Sequence, residues 1–266
     1  MAITTHTDWR TCTDPAALVE RLGDTLTDGE RLLILTGYIR PMWTLPVMDR
    51  IGVRAAMDRV ERAAYGLLDG NVMDGATEVL EVILADMRSV DFPENNESLG
   101  VGLCHEVVRW ARTRSKFGET LEWVVEQVRQ YLLYRPAPPP SYVPSPHELP
   151  WDWFARIEMP GHPSVWMQCY QVAQRLMAEA IREVMPSPYA RIAVERDWLD
   201  EAMVHSATGM FEAGNFDSVE QLGERFEERG CYDTDILIHC SQEERHCRGC
   251  WLVDEVTAMR HRLRCF

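Results

Sequence analysis

IGVRAAMDRVERAAYGLLDG, residues 51 to 70, carries Val53, Met57, Val60, Ala64 and Leu67 on one stripe, with Arg54, Asp58, Arg59, Glu61 and Arg62 elsewhere around the cylinder. Apolar residues three and four apart bury one face of an α-helix, whereas a half-buried strand would alternate every second residue. The stretch reads as a helix from Ile51 to Leu68, stopped by Gly70. The same period recurs on both sides of it. Thr77 to Arg88, Leu99 to Arg112 and Glu119 to Tyr134 repeat apolar residues at helical intervals, and none alternates over any length. Upstream, Asp14-Pro15 is a helix start leading through Arg21, because aspartate accepts from free N–H groups and proline at the first helical position gives up no bond. Thr27-Asp28-Gly29-Glu30 has the capping-box spacing, ahead of a helical run through Leu32, Leu33, Leu35, Ile39 and Met42 that reaches Pro41 and Trp43.

Downstream, RPAPPPSYVPSPHELPWDWFARIEMPGHPS, residues 135 to 164, holds nine of the fifteen prolines and is not regular helix. Its aromatic residues Tyr142, Trp151, Trp153 and Phe154 favour a connection that packs back on the body over a polyproline docking motif. Beyond it the spacing predicts helices over Val165 to Val184, Trp198 to Glu212 and Asp217 to Glu228, the last with Asp217 as its cap. A short helical turn over Thr234 to Cys240 and a final helix from Cys250 to Leu263 complete the chain. The fold class is therefore all-α: a helical array of hairpins, with a solenoid-like stack left open, and a proline-rich connection. Three parts follow, namely an N-terminal helical domain at 1–134, a linker or excursion at 135–164 and a C-terminal helical module at 165–266.

Composition narrows the partners. With 266 residues, 46% hydrophobic and 26% charged, the chain can bury a sizeable core unaided. Its 27 basic and 42 acidic residues leave a formal charge of -15, a field that repels nucleic acid phosphates and anionic membranes. The expected partner is another protein, with neither nucleic acid nor membrane involved. The opening MAITTHTDWRTC has no apolar segment of signal-peptide type, and no run is long enough to span a bilayer, so the expected location is cytoplasmic. Eight cysteines are too few for a disulfide scaffold, and in a reducing compartment they are thiols or metal ligands.

Five of those cysteines fall in the last 36 residues, three of them within HCSQEERHCRGCW, residues 239 to 251. Zinc takes nitrogen and sulfur donors in pairs a few residues apart, which Cys247-x-x-Cys250 satisfies. Cys240 and His246 complete the candidate set Cys240, His246, Cys247 and Cys250, with His239 as the alternative donor if Cys247 is left out. The competing reading is a structural corner formed with His239, Arg248, Gly249, Trp251 and Asp254. There Cys240 and Cys250 are small buried groups, Trp251 fills the interface and His246 bonds a carbonyl. Arg248 pairs with Asp254 or Asp235, and Gly249 meets a backbone angle or close approach closed to other residues. A redox role for Cys247 and Cys250 lacks the βαβ setting such pairs normally have. A cysteine nucleophile composed from Cys250, His246 and Asp254, or from Cys104 and His105, depends on geometry beyond sequence, and no catalytic residue is assigned.

Two segments carry a resemblance. TDWRTCTDPAALVERLGDTLTDGERLL with VERAAYGLLDG, and NFDSVEQLGERFEERGCYDTDILIHCSQEERHCRGCWLVDEV, are similar to the two ends of a planctomycete-type bacterial paralogous family. That family has an N-terminal W-x-x-C-T-D-P segment and a closing H-C…H-V-R-G-C-W-x-x-D module. The resemblance covers about 60 residues at each end and implies no activity. It implies instead that Cys231, Asp235, His239, Cys240, His246, Arg248, Gly249, Cys250, Trp251 and Asp254 stand where the pattern has the same residue types. Cys247, where the pattern has valine, is particular to this chain. The expected function is a non-enzymatic protein-interaction or adaptor module, of which a regulator in a bacterial defence or conflict system is a narrower version. The alternative is a zinc-binding or thiol-dependent enzyme centred on the C-terminal Cys/His cluster, with zinc as its cofactor.

Overall fold

The computed structural model describes residues 3–40, 52–68, 71–89, 96–113, 116–134, 163–190, 194–241 and 246–263. The expected stop at Gly70, the run over Pro41 to Trp43 and the proline-rich stretch as far as residue 162 lie outside the described residues. All regular structure among the described residues is helical. In chain order the helices are α1 (His6–Thr11), α2 (Pro15–Leu22), α3 (Asp28–Ile39), α4 (Val53–Ala63), α5 (Val72–Ser89), α6 (Asn96–Thr113) and α7 (Phe117–Tyr134). They continue as α8 (Pro163–Val184), α9 (Glu201–Ala213), α10 (Val219–Glu228), α11 (Thr234–Ser241), α12 (Trp251–Val256) and α13 (Arg260–Leu263).

Local chemistry sets the starts. Asp14 Oδ1 accepts from the N–H groups of Ala16 and Ala17 at 3.0 and 3.4 Å and opens α2 ahead of Pro15. The Thr27 box forms in both directions, Glu30 N to Thr27 Oγ1 at 3.2 Å and Thr27 N to Glu30 Oε2 at 2.8 Å. A second box was missed in the sequence: Thr5 and Asp8 cap α1 in the same reciprocal way.

Several boundaries are corrected. Helix α4 ends at Ala63, and the chain turns over Ala64 to Gly66 instead of continuing to Leu68. Helix α8 begins at Pro163, inside the segment read as connection. The helix expected from Trp198 divides into a single 3-10 turn over Arg196–Trp198 and α9, which Asp200 caps through Met203 N at 2.8 Å. Asp217 does not cap α10, because the preceding turn places Ser218 at that position. The final helix is broken after Val256, where Ala258 adopts a φ of 56°. The break lets Arg260 turn inward, donating to the Val184 carbonyl at 2.9 Å and to Glu30 Oε1 at 3.3 Å.

Helix α3 is the hub. Leu32, Leu33, Ile34 and Leu35 are all fully buried, so it is apolar around most of its circumference, as a helix enclosed by others must be. Helices α4, α6, α7 and α8 pack on it, and Tyr38 fixes α8 by donating to the Ala173 carbonyl at 3.2 Å. Helix α8 also lies along α2 and α7, and α9 meets α12. One apolar cluster runs from Trp9 and Leu18 through α3 and α8 to Trp251 and Leu263, so the two helical parts share one core.

Helices α10 and α11 approach closely because Gly223 has no side chain: a Cβ there would lie 2.6 Å from the Cβ of Cys240. Gly223→Ala is expected to cost about 1–3 kcal/mol through overpacking, read from the urea midpoint. An unchanged midpoint would mean that the two helices are not held at this distance.

Candidate metal centre

Four side chains converge where α8 ends, α11 ends and α12 begins. Glu183 sits in the last turn of α8, His239 in the last turn of α11, and His246 and Cys250 on the loop leading into α12. One donor atom from each lies within 4.8 Å of the other three. His239 Nε2 is 3.1 Å from Cys250 Sγ and 3.7 Å from Glu183 Oε2. His246 Nδ1 is 3.2 Å from both Glu183 oxygens and 3.9 Å from Cys250 Sγ. A tetrahedral zinc ion with bonds of about 2.0 to 2.3 Å sets its donors roughly 3.3 to 3.7 Å apart. The four separations of 3.1 to 3.9 Å bracket that range, and the whole set lies within 4.8 Å.

The loop is built to hold this arrangement. A tight turn closes through Cys250 N to the Cys247 carbonyl at 2.8 Å. Gly249 occupies it with a φ of 105°, and a Cβ there would come 3.0 Å from the Cβ of Leu33 and 3.2 Å from Cγ2 of Val184. Both a left-handed angle and a close approach therefore demand glycine. The amide of Cys247 donates to Glu183 Oε1 at 3.3 Å and orients the carboxylate, while the Trp251 ring packs 4.8 Å from that of His239.

Burial and mutual contact set the electrostatics of the four groups. Burial pushes the Glu183 carboxyl up, but the two imidazoles outweigh it and hold the group below its usual range. Burial depresses His239 to about 4, with the Glu183 charge only partly opposing. Burial and the Glu183 charge raise the Cys250 thiol well above its ordinary value. A bound divalent ion reverses that last effect, since a coordinating thiol loses its proton outright. A zinc ion held here would be bound by Glu183, His239, His246 and Cys250, and its double positive charge would offset the negative charges of the carboxylate and of Cys250 once deprotonated.

No family model, curated protein or solved structure matches this chain.

Of the four donors proposed from sequence, the structure brings together His246 and Cys250 and places Cys240 and Cys247 elsewhere. Cys247 faces α3, where a Cβ on Gly37 would lie 3.1 Å from its sulfur, and Cys240 faces Gly223 on α10. Burial raises both thiols, Cys240 to about 12. Neither has the lowered pKa of a reactive cysteine, and Cys104 is likewise raised to about 12. His239, the alternative donor, is in the cluster. His246 lies 3.2 Å from both Glu183 oxygens through Nδ1.

Glu183 was missed because it lies 56 residues before His239 in a segment with no metal-ligand spacing. Its signal is positional. Met177, Ala180, Ile181 and Val184 are buried along one face of α8, and Glu183 shares that face at 5% exposure. A glutamate on a buried stripe requires a partner.

The expected pairing of Arg248 is corrected. Its Nη1 donates to Asp58 Oδ1 at 2.6 Å and Glu61 Oε2 at 3.0 Å, while Nε and Nη2 donate to the Phe211 carbonyl at 3.2 and 2.8 Å. Those acceptors belong to α4 and to the C-terminal turn of α9, which the loop reaches before α12 begins. Asp254 instead accepts from the Tyr65 hydroxyl at 2.9 Å, and Asp235 lies 2.8 Å from His6 Nε2. Burial raises the Asp254 carboxyl to about 8, with the Tyr65 bond and the Arg260 charge opposing.

Proposed function

We propose that this chain is a zinc-binding helical protein whose ion is structural, and that it acts by contacting another protein and not by catalysis. The observation that carries the reading is the convergence of donor atoms from Glu183, His239, His246 and Cys250 within 4.8 Å of one another in a largely buried site. Four protein donors complete the coordination of zinc, whereas catalytic zinc keeps a position for water or substrate. The mixed nitrogen, sulfur and oxygen set suits this borderline ion better than magnesium or calcium, which take oxygen ligands. Three of the donors, His239, His246 and Cys250, stand at positions that the resemblance to a planctomycete-type family implies, and Cys247, which departs from that pattern, is not among them. A protein partner accords with the formal charge of -15, and no helix among the described residues is long and apolar enough to cross a membrane.

The ion would join α8 to the loop that starts α12, two elements far apart in sequence, as structural zinc does in small modules. Elemental analysis of protein purified in zinc-containing medium and passed through gel filtration is expected to return one zinc per chain. A substoichiometric trace, unchanged in Cys250→Ser, would overturn the proposal.

A further inference from the structure

Next to the donor cluster, and sharing His239 with it, lies a cleft of about 90 Å³ lined from α1, α11 and the end of α8. Its apolar walls are Trp9, Met185, Pro186 and Trp251, with the tryptophans almost wholly buried. Its polar wall carries His6, Arg10, Arg182 and Asp235. Two arginines and one aspartate thus line the cleft, a local excess of basic residues in a chain of formal charge -15. The acid is already engaged, since Asp235 Oδ1 lies 2.8 Å from His6 Nε2 and 4.0 Å from Arg10 Nη1. Arg182 is fixed in place through Nη1, which donates to the Cys12 carbonyl at 2.7 Å. Arg10 is the adaptable group: its side chain is 40% exposed, and 4.0 Å from Asp235 is an ion pair but not a hydrogen bond.

We propose that this cleft binds a carboxylate borne on a short apolar body. The guanidinium of Arg10 supplies the planar fork that matches a carboxylate, and the indole and methionine walls cover the apolar part. A volume of about 90 Å³ is several times what one water needs and suits a ligand of a few non-hydrogen atoms. The same chemistry has two sources, a free small carboxylic acid or the C-terminal carboxylate of a polypeptide. Arg10 and the two indoles assigned to the carboxylate are not donors to the ion.

The test is a titration of the full chain at low ionic strength, followed by the indole N–H resonances of Trp9 and Trp251. Propionate, N-acetyl-Ala-Ala with a free C-terminus, the same dipeptide amidated, and propylamine are the probes. The carboxylates are expected to shift both indole signals saturably, while the amidated dipeptide and propylamine leave them in place. Arg10→Gln, a change at a half-exposed position, should weaken binding about tenfold. Tighter binding of the free dipeptide than of propionate would assign the polypeptide source, and the reverse order the free acid. Absence of saturable shifts with either carboxylate would overturn the proposal, as would equal binding of the amidated dipeptide or unchanged affinity in Arg10→Gln.

Discussion

Replacing Arg248 by alanine is expected to destabilise the protein by about 3–5 kcal/mol, the usual result of removing one partner from a buried ion pair. Its side chain is 1% exposed, and its fork serves three acceptors from two helices: Asp58 and Glu61 on α4 and the Phe211 carbonyl near the end of α9. Glu61, itself 1% exposed, keeps Arg40 at 2.9 and 3.1 Å, but it loses half of its compensating charge. The end of α9 loses a cation that sits where the helix dipole favours one. Arg62 donates to the neighbouring Glu212 carbonyl at 2.6 Å, so the helix end is not stripped entirely. Lysine should rescue little, because one ammonium cannot span acceptors arranged for Nε, Nη1 and Nη2. A loss of this size is a large fraction of the roughly 5 to 15 kcal/mol that holds a typical domain folded. Thermal unfolding should show a fall of roughly 6 to 20 °C. A melting temperature within about one degree of the parent in Arg248→Ala would mean that the loop is not pinned to α4 and α9 through this side chain.

Zinc is expected to stabilise the folded chain by about 4 kcal/mol when free ion exceeds its dissociation constant a thousandfold, and chelation should remove that increment. Two variants separate this from a general effect of thiol loss. Cys250→Ser and Glu183→Gln should each abolish the zinc-dependent shift in unfolding midpoint. Cys247→Ser should retain it, because the Cys247 sulfur faces Gly37 and not the donor cluster. A zinc response that survived Cys250→Ser but vanished in Cys247→Ser would transfer the site to the set Cys240, His246 and Cys247.

Helical periodicity made most of the fold readable, since an apolar stripe at three and four residues has one outcome in water, burial against another helix. Periodicity does not record where a helix stops. Helix α4 keeps its stripe as far as Leu67 yet ends at Ala63, because Tyr65 is turned inward to reach Asp254 on α12. The final helix is likewise divided so that Arg260 can reach Glu30 and Val184, contacts made with residues more than seventy positions away.

The centre was half legible for a related reason. Neighbours on a helix point about 100° apart, so His239 and Cys240 could not both face one ion. The tight turn over Cys247 to Cys250 sends those two sulfurs to different helices, although their spacing is that of a zinc pair. Glu183 reaches the others only through the packing of α8 on α3, which no local pattern encodes.

Cobalt substitution tests most directly whether one ion is held by two imidazoles, one thiolate and one carboxylate. One equivalent of Co²⁺ added to the metal-free full chain should produce the intense visible bands of a tetrahedral site together with a near-ultraviolet band from a single thiolate. Both should be displaced by zinc and absent in Cys250→Ser. A weak octahedral spectrum, or a thiolate band that persists in Cys250→Ser, would contradict the account.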